Sequence, residues 1–427
     1  MIGINFFLML LATYPWPIRP FSEVHAVSAT LGDGRGSVSD PRFHWGIDIP
    51  AGSGTNTYSL ISGSAISLPP YNQEGFVRVG TYLYDHLIDR VIDNQQVTGI
   101  LDDPNNPDRI GNVAVDHLHF QIGSAGGPFS NPLSYGGGPV GYTDNGMPIV
   151  YSLDFWQAGS EGVIARQVYP PLWGKIDIRS YCQDRQTSGG VNTTSGIYRL
   201  EWLVRNRNTG AAFGPYQTVI FPQVQPPNNG APVLLVYDRH NYRTVSPFYY
   251  WVTNPIINNQ VENRYWNTKL RQGQEWNGLD ARINSEAQFP DGDYRVWVMA
   301  YDIMGNGGDT LNRKGAEDED ITIDNFRPYV SRVQIGQEEK VVKYQAHWPD
   351  VPASDYDLGE LIIEKDDYFR VGKGLTFLIE FSEGMKTDVL PTLQVQMPNE
   401  WVKVFNPCIA IAGNLDNILW WINNREA

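Results

Sequence analysis

Cysteine is nearly absent from this chain, which has only Cys182 and Cys408 among its 427 residues. A scaffold held together by several disulfides is therefore excluded. The two cysteines fall in what the sequence suggests are different domains, so a disulfide between them is the less favoured interpretation. Scarce cysteine is typical of many exported bacterial proteins.

Positive charge is also scarce, because 32 Lys and Arg residues stand against 47 Asp and Glu residues, for a net charge of −15. Binding to nucleic-acid phosphates requires surfaces rich in Lys and Arg, so this composition argues against a nucleic-acid-binding protein. The acidity bears on solubility and partners and says little about the fold.

Long apolar runs are missing as well. No segment approaches the roughly 18 uninterrupted apolar residues of a membrane-spanning helix, so we expect no internal membrane span. The run from Ile2 to Ala12, interrupted by Asn5, has the length of a signal-peptide core. We therefore predict a signal peptide over residues 1–17, with an N-terminal strand of the first domain as the alternative.

The chain is rich in β-forming sequence. Hydrophobic residues make up 41% of it, which is enough for buried cores, and the 42 Gly, 29 Pro, 23 Tyr and 13 Trp indicate many short strands and turns. We therefore predict an all-β fold, and the length predicts two to four domains. The predicted strands are residues 24–30, 58–67, 75–84, 113–122, 168–178, 196–205, 216–221, 233–237, 294–301, 320–325 and 375–385.

Glycine and proline divide the chain into predicted domains. The segment Gly136-Gly137-Gly138-Pro139 marks a boundary, so residues 18–140 are expected to form an antiparallel β-sheet domain. Residues 150–328 are expected to form an immunoglobulin-like (Ig-like) β-sandwich, with a hairpin turn at residues 289–293. Residues 329–427 are expected to form a second Ig-like domain, whole or in part. Residues 375–385 are expected to be a strand that runs into a turn, and they resemble the F-S-E-x-M strand of bacterial Ig-like modules.

Histidine is rare, with seven residues in the chain, yet four of them fall between residues 44 and 119. In a strand, residues i and i+2 point to the same face, so His117 and His119 are expected to project together. Asp48 follows His44 by four residues and can join it from a turn. Two imidazoles and one carboxylate suit zinc and leave a position for water, whose pKa zinc lowers towards about 7.

These segments resemble the signatures of the lysostaphin/LytM-type zinc endopeptidases. Residues 42–49, RFHWGIDI, resemble the family's H-x-G-x-D signature, and residues 116–120, DHLHF, resemble its H-L-H-F signature. Residues 84–87, YDHL, match an aromatic-x-H-L motif between them, and residues 131–133, NPL, match a family-like ending. The motifs occur in the family's order, and the resemblance covers about residues 20–135.

The resemblance implies that His44, Asp48 and His119 bind Zn²⁺, with His86 and His117 as catalytic imidazoles. It also implies an antiparallel sheet whose groove accepts an extended peptide. The implied function is that of a secreted, periplasmic or cell-surface metalloendopeptidase that hydrolyses peptide crosslinks of bacterial peptidoglycan through a metal-activated water. Residues 68–74 and 108–115 depart from the family pattern where groove walls are expected, which affects substrate detail more than metal binding.

Other interpretations stay open at this point. The same fold can serve as a non-catalytic cell-wall or surface binding or regulatory protein. A lone histidine is more often a hydrogen-bonded structural residue, which is our expectation for His25, His240 and His347. An acidic loop further along the chain is expected to be a solvated surface loop, with calcium binding as the alternative. Its residues are Asp302, Asn306, Asp309, Asp318 and Asp320.

Overall fold

A computed structural model describes residues 13–188, 190–224 and 230–326, and beyond residue 326 only the backbone of short strands. Residues 1–12 of the predicted signal peptide, Cys408, His347 and the turn at 382–385 lie outside the described residues. The described chain is nearly all β, with antiparallel sheets and one short α-helix, which confirms the predicted all-β class.

The first part of the chain forms short strands, because glycine, proline and asparagine interrupt its apolar runs every few residues. A 3₁₀ turn at Tyr135–Gly137 ends this part. The strands are β1 (Gly34–Ser37), β2 (Asp40–Phe43), β3 (Ile47–Pro50), β4 (Asn56–Tyr58), β5 (Gly63–Ile66), β6 (Gly75–Val79), β7 (Tyr82–Ile88), β8 (Gln96–Val97), β9 (Arg109–Val113), β10 (His117–Gly123) and β11 (Phe129–Ser130).

The second part contains longer strands and the helix α1 (Ala231–Val236), with 3₁₀ turns at Arg239–Asn241 and Asn284–Glu286. Its strands are β12 (Ile149–Gln157), β13 (Gln167–Val168), β14 (Lys175–Ser188), β15 (Val191–Ser195), β16 (Arg199–Asn206), β17 (Ala212–Ile220), β18 (Gln223–Val224), β19 (Phe248–Trp251), β20 (Ile256–Ile257), β21 (Gln260–Val261), β22 (Trp266–Asn267), β23 (Gly292–Tyr301) and β24 (Ala316–Ile323).

Three larger antiparallel sheets organise most of these strands, and β1-β2 and β20-β21 form two separate two-stranded sheets. The first runs in the order β18-β11-β10-β7-β6-β5-β8, with β3 paired to β10 and with β9 paired to both β4 and β7. The second is built around β14, which pairs with β12, β15, β19 and β22, and the third has the order β17-β16-β23-β24. Strand β18 comes from the second part of the chain but extends the first sheet through β11.

The core of the first sheet lies on one face of β10. Leu118 and Phe120 are fully buried there and belong to a cluster that includes Ile47, Ile49 and Tyr84. Burial of a Phe side chain contributes about 1.5–3 kcal/mol, so this face holds β10 firmly between its neighbours. The opposite face of β10 carries His117 and His119.

Residues near the N-terminus also belong to this core. Tyr14 and Trp16 are buried in the same cluster, and each donates to a distant carbonyl, Tyr14 Oη to Pro132 O and Trp16 Nε1 to Val140 O.

Several strand predictions agree with the structure and others need correction. The strand predicted at 294–301 is β23, whereas the segment predicted at 75–84 is a hairpin that turns at Gly80, where φ is +58°. Residues 24–30 form no named strand. The prediction of a strand at 233–237 is wrong, because the helix α1 covers most of these residues. Pro232 lies in the first turn of that helix, and a short apolar run suits a buried helix as well as a buried strand.

Contacts divide the chain into two compact units, Met1–Leu279 with Gly292–Ile323, and Asp280–Asp291 with Asp324–Ala427. The first unit contains the 18–140 region and most of the 150–328 region. The strands beyond residue 326 are β25 (Val330–Gln337), β26 (Lys340–Val342), β27 (Leu375–Phe381), β28 (Gln394–Met397), β29 (Glu400–Lys403), β30 (Ile409–Ile411) and β31 (Leu419–Trp421). Among the described residues, no helix is long and apolar enough to cross a membrane.

Candidate metal centre

Strand β10 places the two histidines of the HLHF motif. Its alternation puts His117 and His119 on one face, while Leu118 between them is buried on the other. β10 lies between β3 and β7, and the antiparallel register sets His119 opposite Asp48 on one side and opposite Asp85 on the other. Cross-strand pairing therefore brings Asp48 to His119, although 71 positions separate them in the sequence.

Three ligand atoms converge at this point. His44 Nε2 lies 3.0 Å from Asp48 Oδ1 and 2.9 Å from His119 Nδ1, and His119 Nδ1 lies 3.0 Å from Asp48 Oδ1. The side chains are only 6%, 11% and 13% exposed for His44, Asp48 and His119. Within the described part of the chain, they form one of two groups of residues that can hold a metal ion.

The spacing and the donor types fit zinc. Tetrahedral zinc binds histidine nitrogen and carboxylate oxygen at about 2.0–2.2 Å, which puts neighbouring ligand atoms about 3.3 Å apart. The observed separations of 2.9–3.0 Å need an expansion of only a few tenths of an ångström. Three protein ligands leave one tetrahedral position open, as in catalytic rather than structural zinc sites.

His44 is oriented by a backbone carbonyl. Its Nδ1 donates to Thr30 O at 2.9 Å, so the neutral ring presents an Nε2 lone pair to Asp48 and His119. If His119 Nδ1 carries a proton, that proton relieves only part of the repulsion among the three atoms. A bound cation interacts favourably with all three lone pairs. Asp33 in turn holds the Thr30 loop by accepting from Thr30 N and Oγ1 at 3.2 and 3.0 Å.

Asp48 uses its two oxygens differently. Oδ1 faces the two imidazoles, and Oδ2 accepts from Arg35 Nη2 at 3.1 Å. Arg35 lies on β1, outside the sequence motifs. The division of contacts favours a single-oxygen ligand, because the guanidinium occupies the other oxygen.

Two further imidazoles flank the three ligand residues. His117 Nε2 lies 3.8 Å from Asp48 Oδ1, and its Nδ1 donates to Asp116 Oδ1 at 2.8 Å. His86 donates from Nδ1 to Glu74 Oε1 at 2.5 Å, and its ring centroid lies 4.8 Å from that of His117. A carboxylate thus holds the Nδ1 proton of each ring, which leaves Nε2 as the acceptor. Both rings are partly exposed and can be reached from solvent.

His86 has a strained backbone. Its φ is +61°, a left-handed conformation that is uncommon for residues other than glycine. The conformation is held by hydrogen bonds, since His86 N donates to Asp85 Oδ1 and His86 O accepts from Ala114 N at 2.7 Å. Such conformations concentrate at functional sites, where the surrounding structure maintains them.

The protonation of the ligands is suited to a cation. Burial lowers the pKa of His44 below its ordinary value, so its ring is held neutral. Burial alone would raise the pKa of Asp48, but its close interactions and hydrogen bonds with His44 and His119 outweigh burial and hold the pKa well below its usual range. A neutral imidazole and an ionised carboxylate are the forms that bind metals.

The structure brings all five predicted site residues into one area. Three of them share the centre and two flank it, while their roles in metal binding and catalysis stay predictions. Phe43 and Trp45 pack instead against Phe221 and Phe129. Four residues that support the site were not predicted from the sequence, although one of them, Asp116, is next to His117. These are Thr30, Arg35, Glu74 and Asp116.

Comparisons of the chain with protein-family models, with curated proteins and with solved structures find no match. The resemblance to the LytM-type endopeptidases rests on the motifs of residues 42–49, 84–87 and 116–120.

Proposed function

We propose that this protein is a zinc-dependent endopeptidase that hydrolyses peptide crosslinks of bacterial peptidoglycan outside the cytoplasm. The observation that carries the proposal is the convergence of His44 Nε2, Asp48 Oδ1 and His119 Nδ1 within 3.0 Å of one another. This donor set and the two flanking imidazoles support a hydrolytic reaction, and the choice of a peptide bond rests on the motif resemblance. The peptidoglycan substrate and the location outside the cytoplasm follow from the motif resemblance.

The three ligand residues are built to hold zinc. When bound, zinc supplies a Lewis acid that polarises a carbonyl and makes water a stronger acid. His44 and Asp48 reach the centre already oriented, by Thr30 and Arg35. Substitution of such outer partners typically lowers metal affinity or activity about 10- to 100-fold.

The flanking imidazoles are suited to moving protons. Hydrolysis of a peptide bond requires a proton to leave the attacking water and a proton to reach the departing amine. His117 and His86 each keep an Nδ1 proton on a carboxylate, so Nε2 is free to accept a proton and later return it. Two such rings beside one centre supply both transfers without a further residue.

The proposal is tested with His119→Ala in the full-length protein. We expect bound zinc and crosslink cleavage to be lost together, measured by metal analysis and by mass spectrometry of digested peptidoglycan. His240→Ala is the matched control, because His240 is exposed and contacts Gly162 O far from the three ligand residues in sequence. A chelator should abolish cleavage by the wild type, and added zinc should restore it.

Two outcomes would overturn the proposal. If folded His119→Ala still cleaves peptidoglycan, zinc at this centre is not required for the reaction. Wild-type protein that binds zinc and peptidoglycan but releases no cleavage products would identify the non-catalytic binding protein instead. Circular dichroism of each variant separates either result from a failure to fold.

A further inference from the structure

A second cluster of buried acidic residues lies in the same structural unit. Asp144 precedes β12, Asp184 lies within β14, and Asp302 follows β23 directly. One carboxylate oxygen from each lies within 4.8 Å of the others, and the three residues are only 3%, 3% and 1% exposed. Three carboxylates are thus gathered away from water at one point.

The carboxylates of this cluster are not ion-paired. Among the described residues, none of the three aspartates takes part in an ion pair with Lys, Arg or His. Burial raises the pKa of each, and mutual repulsion adds to it at Asp184 and at Asp302, whose pKa reaches about 6. Asp33 adds a fourth carboxylate close enough to raise the pKa of Asp184 further.

Buried oxygen atoms around the cluster lack hydrogen-bond partners. Within the described chain, Asp144 Oδ2 and Asp184 Oδ1 have none, and neither has Gln186 Oε1, although Gln186 is only 1% exposed. Gln186 follows Asp184 by two residues on β14, so it shares the same face, and its amide donates to Asp184. A buried polar group without a hydrogen-bond partner destabilises the fold, so several together require an explanation.

Tyr142 points to the same place independently. Its hydroxyl is buried and likewise has no hydrogen-bond partner in the described part of the protein. Tyr142 is only 9% exposed, and the charges of Asp144, Asp184 and Asp302 add to the effect of burial in raising its pKa, so the phenol lies near all three. Its hydroxyl makes no direct hydrogen bond to any of them, so the hydroxyl oxygen and the carboxylate oxygens are not in contact.

We propose that Asp144, Asp184 and Asp302, together with the side-chain carbonyl of Gln186, form a calcium-binding site. All of these donors are oxygen atoms, which suit a hard cation rather than zinc. Calcium takes six to eight oxygen ligands in flexible geometry, whereas magnesium keeps several waters and uses about one or two carboxylates. A divalent cation would neutralise most of the buried charge and satisfy the unpartnered oxygens.

The ligands are held by backbone groups. Asp144 Oδ1 accepts from Gly146 N at 2.8 Å and Thr187 N at 3.0 Å, and Asp302 Oδ1 accepts from Asn306 N at 2.7 Å. The acidic loop that the sequence predicted to be solvated thus supplies Asp302 to this cluster, with Asn306 as its hydrogen-bond partner. Its other members have separate partners, which are Asn312 for Asp309 and Arg295 for Asp318 and Asp320.

The three aspartates connect separate parts of the fold. Asp144 lies on the segment that leaves the first sheet, Asp184 on the second sheet, and Asp302 at the end of a strand of the third. Calcium at this position would cross-link all three. The unfolding temperature should therefore depend on calcium concentration, because a ligand that binds only the folded state stabilises it by mass action.

The first test uses the full-length protein after removal of all metals by chelation and dialysis. We expect added CaCl₂ to raise the unfolding temperature progressively, and equal concentrations of MgCl₂ to raise it much less. Metal analysis after dialysis against calcium should find about one calcium ion per chain. An unfolding temperature that does not respond to millimolar calcium would overturn the proposal.

The second test uses Asp184→Asn and Asp302→Asn, with Asp309→Asn as the control on the same acidic loop. Each site variant should lose the calcium-dependent shift, whereas the control should keep it in full. Without calcium the site variants should unfold at a higher temperature than the wild type, because one buried charge is gone. The proposal is wrong if both site variants keep the wild-type shift. Using two site variants guards against one of them failing to fold.

Discussion

Asp48 shows how much of the candidate centre is decided by single atoms. One oxygen faces His44 and His119, and the other is paired with Arg35. The position of Asp48 four residues after His44 was visible in the sequence. The guanidinium that selects between its oxygens was not, because β1 meets this region only through the folded chain.

Glu74 is the residue whose role is most easily tested. It accepts from His86 Nδ1 at 2.5 Å and does not touch the three ligand residues. Glu74→Gln should lower the cleavage rate about 10-fold or more by releasing the orientation of His86, while zinc content stays at the wild-type level. Glu23→Gln serves as the control, because Glu23 is exposed. Loss of zinc, or an unchanged rate, would contradict this positioning role.

Asp177 predicts a pH dependence of stability that is independent of the metal centre. Burial and the neighbouring carboxyl of Glu161 raise the pKa of Asp177 from 3.8 to about 8. The folded state therefore holds this proton more tightly than the unfolded state between these pH values. The stability that this bound proton gives the folded state is complete below about pH 4. It is lost as pH rises towards 8, by at most about 1.4 kcal/mol per pH unit.

Urea unfolding at a series of pH values measures this contribution. Asp177→Asn should flatten the decline of the free energy of unfolding between pH 4 and 8, and Glu161→Gln should reduce it in part. An identical pH slope in wild type and Asp177→Asn would show that the carboxyl of Asp177 is not responsible.

At the scale of elements, β7 bends where it delivers His86 to the centre. The φ of +61° at this residue strains any L side chain but not glycine. His86→Gly should therefore be more stable than His86→Ala by about 1 kcal/mol, although both lack the imidazole. Both variants should lose cleavage activity to the same extent.

Chemical denaturation and cleavage assays on the same two proteins check this pair. Equal stabilities would show that the backbone at His86 relaxes once its ring is removed. A difference in activity between them would show that the bend, as well as the imidazole, takes part in the reaction.

The elements also show where sequence patterns suffice. Alternation along HLHF correctly placed His117 and His119 on one face, because a strand has only two faces. The apolar run at 233–237 gave no such alternation, and the chain forms the helix α1 there, in which Val233, Leu234 and Val236 are buried. Periodicity therefore decided the alternating strand but not the short apolar run.

At the scale of the whole molecule, the centre depends on residues far downstream. The Thr30–Asp33 loop that orients His44 is supported by Gly196 N, which donates to Asp33 Oδ1 at 2.9 Å, and by Tyr237 Oη, which donates to Gly32 O at 2.6 Å. Phe221 packs against both Gly32 and Phe43. The first sheet is thus not independent of the two sheets that follow it.

A fragment of residues 1–147 should consequently bind zinc about 10- to 100-fold more weakly than the full-length chain, because the partner that orients His44 loses its support. Isothermal titration with zinc measures the difference. A chain that ends at residue 326 keeps every contact named above and should retain full affinity. Equal affinities for the two truncated chains would show that the loop holds its position without downstream residues.

The sequence by itself determined the β class, through its density of turn residues, and the identity of the ligand candidates, through the spacing of a few histidines around one aspartate. Both are local properties that neighbouring residues impose on each other. Only the tertiary structure decided which oxygen of Asp48 faces the centre, which carboxylates hold His86 and His117, and that Asp144, Asp184 and Asp302 meet. Apart from Asp116, which is next to His117, these contacts join residues that are distant in the chain, and they form only once the strands of the folded molecule are paired.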